Sequence, residues 1–183
     1  MTILELIVLA VGLSMDAFAV SICKALTTKN INYNKRIKIA LYFAIFQGIM
    51  PLFGYLLGNI FKDVIIKIDH WIAFGLLSYI GLNLILDSKT EENNISDKID
   101  FNSMFLLSVA TSIDALAIGI TFSLLKINII EAVLIISIIT FILTFIGTII
   151  GNKLGNKINK ISKVFGGIIL IIIGIKILFE HLT

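Results

Sequence analysis

The chain has 183 residues, of which 58% are hydrophobic and 15% charged, with a mean hydropathy of +1.03. That balance excludes an ordinary soluble globular domain and makes lipid the solvent to reason in. A formal charge of +3 does not indicate nucleic acid, because the basic residues fall mostly in short segments between apolar runs, where they set topology.

Six apolar runs are long enough to cross a hydrocarbon core of about 30 Å as helix. The first, Ile3 to Lys24, lacks a basic leader and carries Asp16 inside its apolar stretch, so it reads as a retained helix and not as a signal peptide. Its Cys23 is the single cysteine; it cannot form an intramolecular disulfide and reads as a small packing residue. The second run, Ile39 to Ile60, holds Gln47 and the only proline, Pro51. A proline inside a helix removes a backbone donor, which frees the carbonyl of Gln47. Carbonyl and side-chain amide together offer hard oxygen, although a plain kink with Gln47 packed on a neighbour would use the same residues.

The third run, Lys67 to Asp87, opens beside Asp69, His70 and Trp71, an interfacial anchor. A polar stretch from Ser88 to Asp100 follows, so the chain divides into residues 1–87, a cytoplasmic linker at 88–102, and residues 103–183, all one membrane domain. The fourth run, Ser103 to Leu125, carries Asp114; the fifth spans Ile129 to Gly151 and the sixth Val164 to Glu180. Lys24, Lys29, Lys35, Arg36, Lys38, Lys89, Lys98, Lys153, Lys157, Lys160 and Lys163 collect on one side, against Lys62, Lys67, Lys126 and Lys176 on the other. Basic residues favour the cytoplasmic face, so both termini are expected outside.

The two halves repeat. Leu13-Ser14-Met15-Asp16-Ala17-Phe18-Ala19 returns as Thr111-Ser112-Ile113-Asp114-Ala115-Leu116-Ala117, and Gly54 to Asn59 returns as Gly147 to Asn152. Gly81 to Asp87 returns as Gly174 to Glu180. The offset is 98 residues at the aspartates and 93 at the later pairs, so the loop after the first span is longer in the first half. Three spans per half is an odd number, and the second half must therefore enter the bilayer from the opposite side. The fold expected is an all-α membrane protein of six transmembrane helices, built from two inverted-topology three-helix repeats. Such repeats hold substrate near the midplane where the halves meet.

Asp16 and Asp114 lie near the middle of their spans, where an aspartate costs roughly 2.5 to 3.5 kcal/mol on insertion scales. No Lys, Arg or His shares their depth in the sequence. Two ionised carboxylates there match a divalent cation; the alternative is a protonated pair hydrogen-bonded to neighbouring helices. Thr111, three residues from Asp114, shares its helix face, and Gln47 contributes from the second span. Ser14 and Ser112 sit about 200° around an ideal helix from their aspartates, so they reach the same ion only where the helix is locally open, and otherwise bond their own backbone. Met15 and Met50 read as packing. The candidate metal set is Asp16, Asp114, Gln47, Thr111, Ser14 and Ser112, an oxygen-rich group suited to Mn²⁺, Mg²⁺ or Ca²⁺ over Cu(I) or Zn²⁺.

At these residues the chain resembles the MntP-type manganese efflux pumps of bacteria, related to the LysE exporter superfamily. The resemblance rests on Leu13 to Ala19 and Ala110 to Ala115, on Phe46-Gln47, Met50-Pro51-Leu52 and Gly54, on His70 to Phe74, and on Gly166-Gly167. It implies a multi-pass protein of the bacterial plasma (inner) membrane that lowers cytoplasmic Mn²⁺, with the two motif aspartates at the transport site and no cofactor beyond the Mn²⁺ it carries. The sequence departs from the family at Asn83, Leu84 and Asp87, where a basic residue, a methionine and a glutamate are common.

The expected function is export of a divalent cation by alternating access, with protons returning through the same carboxylates. A LysE-like exporter of amino acids or other small solutes is the alternative, but a carboxylate substrate favours a buried basic group and the spans hold none at depth. An enzyme is not expected: an intramembrane protease needs a nucleophile with a buried His or Lys, or aspartates in protease-type motifs.

Overall fold

The computed structural model describes residues 2–28, 31–58, 101–125 and 127–155, with isolated positions between 71 and 85 and between 164 and 175. Among the described residues all regular structure is helical: α1 (Ile3–Leu13), α2 (Met15–Thr27), α3 (Tyr33–Leu57), α4 (Phe101–Leu124) and α5 (Ile129–Gly155). With α1 and α2 taken as one rod, four of these helices are long and apolar enough to cross a membrane. The described positions of the third and sixth apolar runs, Trp71 and Ile172 among them, are helical. Asn83, Leu84, Asp87 and most of the 88–102 linker lie outside the described residues.

Each start has a local cause. Thr2 opens α1 with a capping box: the Glu5 amide donates to its hydroxyl, and its own amide donates to the Glu5 carboxylate at 2.8 Å. Asn32 caps α3, its side-chain oxygen accepting from the Lys35 amide at 2.9 Å. This cap moves the start of the second span to Tyr33, ahead of the apolar run, so that Lys35, Arg36 and Lys38 stand on helix and not in a loop. Replacing the cap, Asn32→Ala, should loosen the first turn of α3 by about 1 kcal/mol. Hydrogen exchange measured on the peptide that contains Lys35 should then run several-fold faster than in wild type.

The helices interleave. Phe46 meets Phe105 edge to face at 5.3 Å, Tyr42 meets Phe101 at 6.1 Å, and Gly54 lies against Leu116 further along, so α3 and α4 run side by side in the same direction. Ser14 meets Thr140, Gly147 lies against Phe18, and Gly151 against Ile22, so α1 and α2 run parallel to α5. Gly48 lies against Ser137 and Val133, while Tyr33 stacks edge-on to Phe145, which makes α3 and α5 antiparallel. The side chains that matter are small. A methyl group at Gly54 would fall on the Leu116 carbonyl, and one at Gly147 on the Ser21 hydroxyl and the Phe18 carbonyl. Apolar matching to lipid does not hold helices together, so backbones this close gain dispersion contacts that larger residues would forfeit.

Two apolar clusters fill the bundle. One gathers Ala17, Val20, Cys23, Phe43, Met104 and Leu107; the other gathers Leu6, Ala10, Leu13, Ala115, Phe122 and Ile136. The outward faces carry Leu4, Val8, Ile45, Ile49, Ile138 and Ile142, all exposed in the isolated chain, as helices bathed in lipid require. Buried polar residues lie between the clusters.

Candidate metal site

Ser14 interrupts the first span. With φ −85° and ψ −5° it closes α1 and opens α2, and the carbonyl before it, that of Leu13, accepts from the Gln47 side-chain amide at 3.0 Å. A peptide carbonyl only accepts, so the atom facing Leu13 must be Nε2, and this fixes the orientation of the amide. Its oxygen, Oε1, is buried and has no hydrogen-bond partner. Asp16 follows in the first turn of α2, the end of a helix that favours negative charge. Its side chain is half-buried.

Thr140 reaches the same joint from α5. Its hydroxyl is 2.7 Å from that of Ser14 and 2.8 Å from the Ile136 carbonyl, and the Ser14 hydroxyl is also 2.7 Å from the Ala10 carbonyl. Two hydroxyl hydrogens thus serve three short contacts, and the pair alternates between donating to each other and donating to their own helices. Gln47 and Thr140, which occupy matching places in the sequence repeat, both grip the Leu13–Ser14 joint.

The fourth span is arranged differently. Helix α4 runs unbroken through the second motif. Thr111 donates to the Leu107 carbonyl at 3.0 Å, and Ser112 to the Ser108 carbonyl at 2.6 Å. Both side chains are buried. Asp114 is half-buried, and its Oδ1 accepts from the Ala115 amide at 2.8 Å. The sequence reasoning made ligation by the serines conditional on an open helix; the helix opens at Ser14 and stays closed at Ser112. Hydroxyls that donate backward keep lone pairs for a further acceptor role, so all six candidates present oxygen that a hard cation can use.

The structure therefore brings Gln47, Ser14 and Thr140 together at one joint, and sets Thr111, Ser112 and Asp114 on a neighbouring helix. Elements α2 and α4 touch over a short stretch only. Among the described residues, no three His, Cys, Asp or Glu side chains gather in one place, so a metal here would be held by carboxylate, amide and hydroxyl oxygens. Met15 points outward at 49% exposure, as its reading as a non-ligand requires. Of the acids at span ends, Glu5 belongs to the helix cap and Glu131 lines a cavity of about 300 Å³ with Thr2, Asn128 and Leu125, while Asp87 and Glu180 lie outside the described residues.

The offset of 93 residues makes Thr140 the repeat partner of Gln47. The signal that it belongs to the site was that pairing. Ser108 was missed outright; it is buried, its hydroxyl has no partner, and a lone serine in an apolar run carries no warning in sequence.

Comparison with known proteins adds a family. A family model described as "Putative manganese efflux pump" matches residues 30–178. A protein of Acetivibrio thermocellus named "Putative manganese efflux pump MntP" is 52% identical over 100% of this chain and 93% of its own length. One of the same name from Desulfitobacterium hafniense is 50% identical over 98% and 95% of the two chains, and one from Clostridium botulinum is 44% identical over 99% and 96%. No solved structure matches.

Proposed function

The chain belongs to the Mntp family of manganese efflux pumps, and from that premise we propose that it exports Mn²⁺ from the cytoplasm across the bacterial plasma membrane, with Asp16 and Asp114 as the charged ligands. The observation that carries the site is the pair of aspartates in two long apolar helices, beside which Gln47 adds a buried oxygen without a partner. Thr111, Ser14 and Ser112 complete the oxygen set. Mn²⁺ is cargo in this reading; the protein is a transporter and not an enzyme. Export of an amino acid is not favoured, because a carboxylate substrate would meet like charge.

The six-span, two-repeat architecture is part of the same proposal. Because α3 and α4 run in the same direction, with Phe101 beside Tyr42, the chain leaving Leu57 has to travel back about 23 Å before α4 begins. In a bilayer that return is made by helix, which supports a third span between them. The repeat offsets carry the Gly54–Leu116 approach onto Gly147–Phe18, and Gly58–Ser123 onto Gly151–Ala25. The match supports a pseudo-twofold axis passing between α3 and α5. Alternating access is supported by the asymmetry at that axis, where one motif helix is interrupted and the other is not. The proposal has the halves rock about the ion, protons returning through the vacated carboxylates, and the termini facing outside.

Purified protein in vesicles tests this. Loaded against Mn²⁺, Fe²⁺, Cd²⁺, Mg²⁺ and Ca²⁺ in turn, it should move Mn²⁺ well above protein-free vesicles and should move glutamate and lysine not at all. Amino-acid flux without metal flux would overturn the reading.

A further inference from the structure

Among the described residues, three buried side-chain oxygens lack any hydrogen-bond partner, Gln47 Oε1 on α3, Ser108 Oγ on α4 and Ser78 Oγ, and of these Gln47 and Ser108 belong to wholly buried side chains. An unsatisfied buried polar atom costs about 1 to 3 kcal/mol, and the Gln47 oxygen is not relieved by flipping its amide. Turning the Gln47 amide would face its oxygen to the Leu13 carbonyl and lose the bond that holds it. The Ser108 carbonyl already accepts from the hydroxyls of Ser112 and Thr111, at 2.6 and 3.3 Å, while its own hydroxyl bonds neither backbone nor side chain. Serine inside a helix ordinarily donates to the carbonyl four residues back, as Ser14 and Ser112 do here. Ser108 departs from that pattern.

The two atoms lie at similar depth. The Phe46–Phe105 ring contact and the Gly54–Leu116 approach bracket them on parallel helices, so Gln47 and Ser108 stand within about one turn of each other along the bundle. Ser108 precedes Asp114 by six residues, about 9 Å of helix rise, which is too far for both to serve as first ligands of a single ion in one position. We infer that Ser108 Oγ, with Gln47 Oε1 shared between the two positions, forms a second station of neutral donors for a divalent cation, on the cytoplasmic side of Asp114, where the ion rests before it meets that carboxylate. The inference rests on the transport reading above. Amide and hydroxyl oxygens suit a hard cation that keeps part of its hydration shell, and a neutral station holds it weakly enough to pass it on.

The test is Ser108→Ala, with Ser108→Thr as the variant that keeps the hydroxyl. Removing an idle buried hydroxyl should leave thermal stability in detergent unchanged or raise it. A hydroxyl on the ion's path predicts, in addition, a rise of about tenfold in the Mn²⁺ concentration that half-saturates vesicle flux, the worth of one ordinary polar contact, with Ser108→Thr near wild type. If wild type moves Mn²⁺ and Ser108→Ala matches it in half-saturation, the station is wrong and the transport reading stands. Should wild type itself move no Mn²⁺, the transport reading fails first. A loss in Ser108→Ala that Ser108→Thr shares equally would also overturn the station, since it would trace to packing.

Discussion

Either single substitution, Asp16→Asn or Asp114→Asn, should cut Mn²⁺ flux by about a thousandfold, in practice to the background of empty vesicles. The magnitude follows from charge. A divalent ion about 4 Å from one carboxylate in a site of effective dielectric 20 gains on the order of 4 kcal/mol per unit charge even by a cautious reckoning, and about 1.4 kcal/mol is tenfold in affinity. Asparagine keeps the shape of the side chain and an oxygen acceptor, so it removes little besides the negative charge. That makes it the discriminating change. If the carboxyls were protonated and served only as hydrogen-bonding groups, asparagine would replace them at small cost and flux would survive. The double substitution should be no worse than either single one, because residues that act on one ion are not additive. Flux of wild-type size in both single variants would remove the aspartates from the mechanism.

The second large effect concerns packing and not the ion. Gly54→Ala places a methyl group on the Leu116 carbonyl, which as backbone cannot turn aside, and Gly147→Ala places one against the Ser21 hydroxyl and, at 2.9 Å, the Phe18 carbonyl. Overpacking of this kind costs about 1 to 3 kcal/mol. Both variants should therefore melt at clearly lower temperature in detergent, and leucine at either position should prevent recovery of folded protein. Gly12→Ala is the control. Nothing lies within 4 Å of where its methyl group would stand, so it should melt no lower than wild type, with a gain of up to about 1 kcal/mol from helix propensity. The smaller loss is expected at Gly147, because the Ser21 hydroxyl can turn aside and the Leu116 carbonyl cannot. A Gly54→Ala protein as stable as wild type would contradict the tight approach of α3 and α4.

Much of this was legible in the residues. Apolar length alone gave the four described spans, since covering a hydrocarbon core leaves a helix little choice. Their ends were less legible: α3 begins at Tyr33 because Asn32 caps it, a polar start that hydropathy discounts. The aspartates stood out because charge in an apolar run is expensive, and Gln47 because it preceded a proline. The interruption at Ser14 was another matter. Nothing in Leu13-Ser14-Met15 breaks a helix; the Leu13 carbonyl is engaged by an amide from another span, 34 residues away in sequence, and tertiary contacts of that kind leave no local mark. For the same reason the idle hydroxyl of Ser108 was invisible: a serine becomes informative only when its surroundings show that it has no partner.

The joint at Leu13–Ser14 has an energetic consequence for the proposed cycle. Gln47 and Thr140 now hold one motif helix; the repeat offers them the Thr111 carbonyl and the Ser112 hydroxyl as mirror-related partners on the other. In the proposed cycle, moving from one set to the other exchanges two hydrogen bonds for two, so these contacts alone favour neither end. An exchange of that kind is reversible and sets no preferred direction. Net export against a manganese gradient must then draw its bias from a second ion flowing downhill through the same site, and vesicles given manganese alone should only equilibrate.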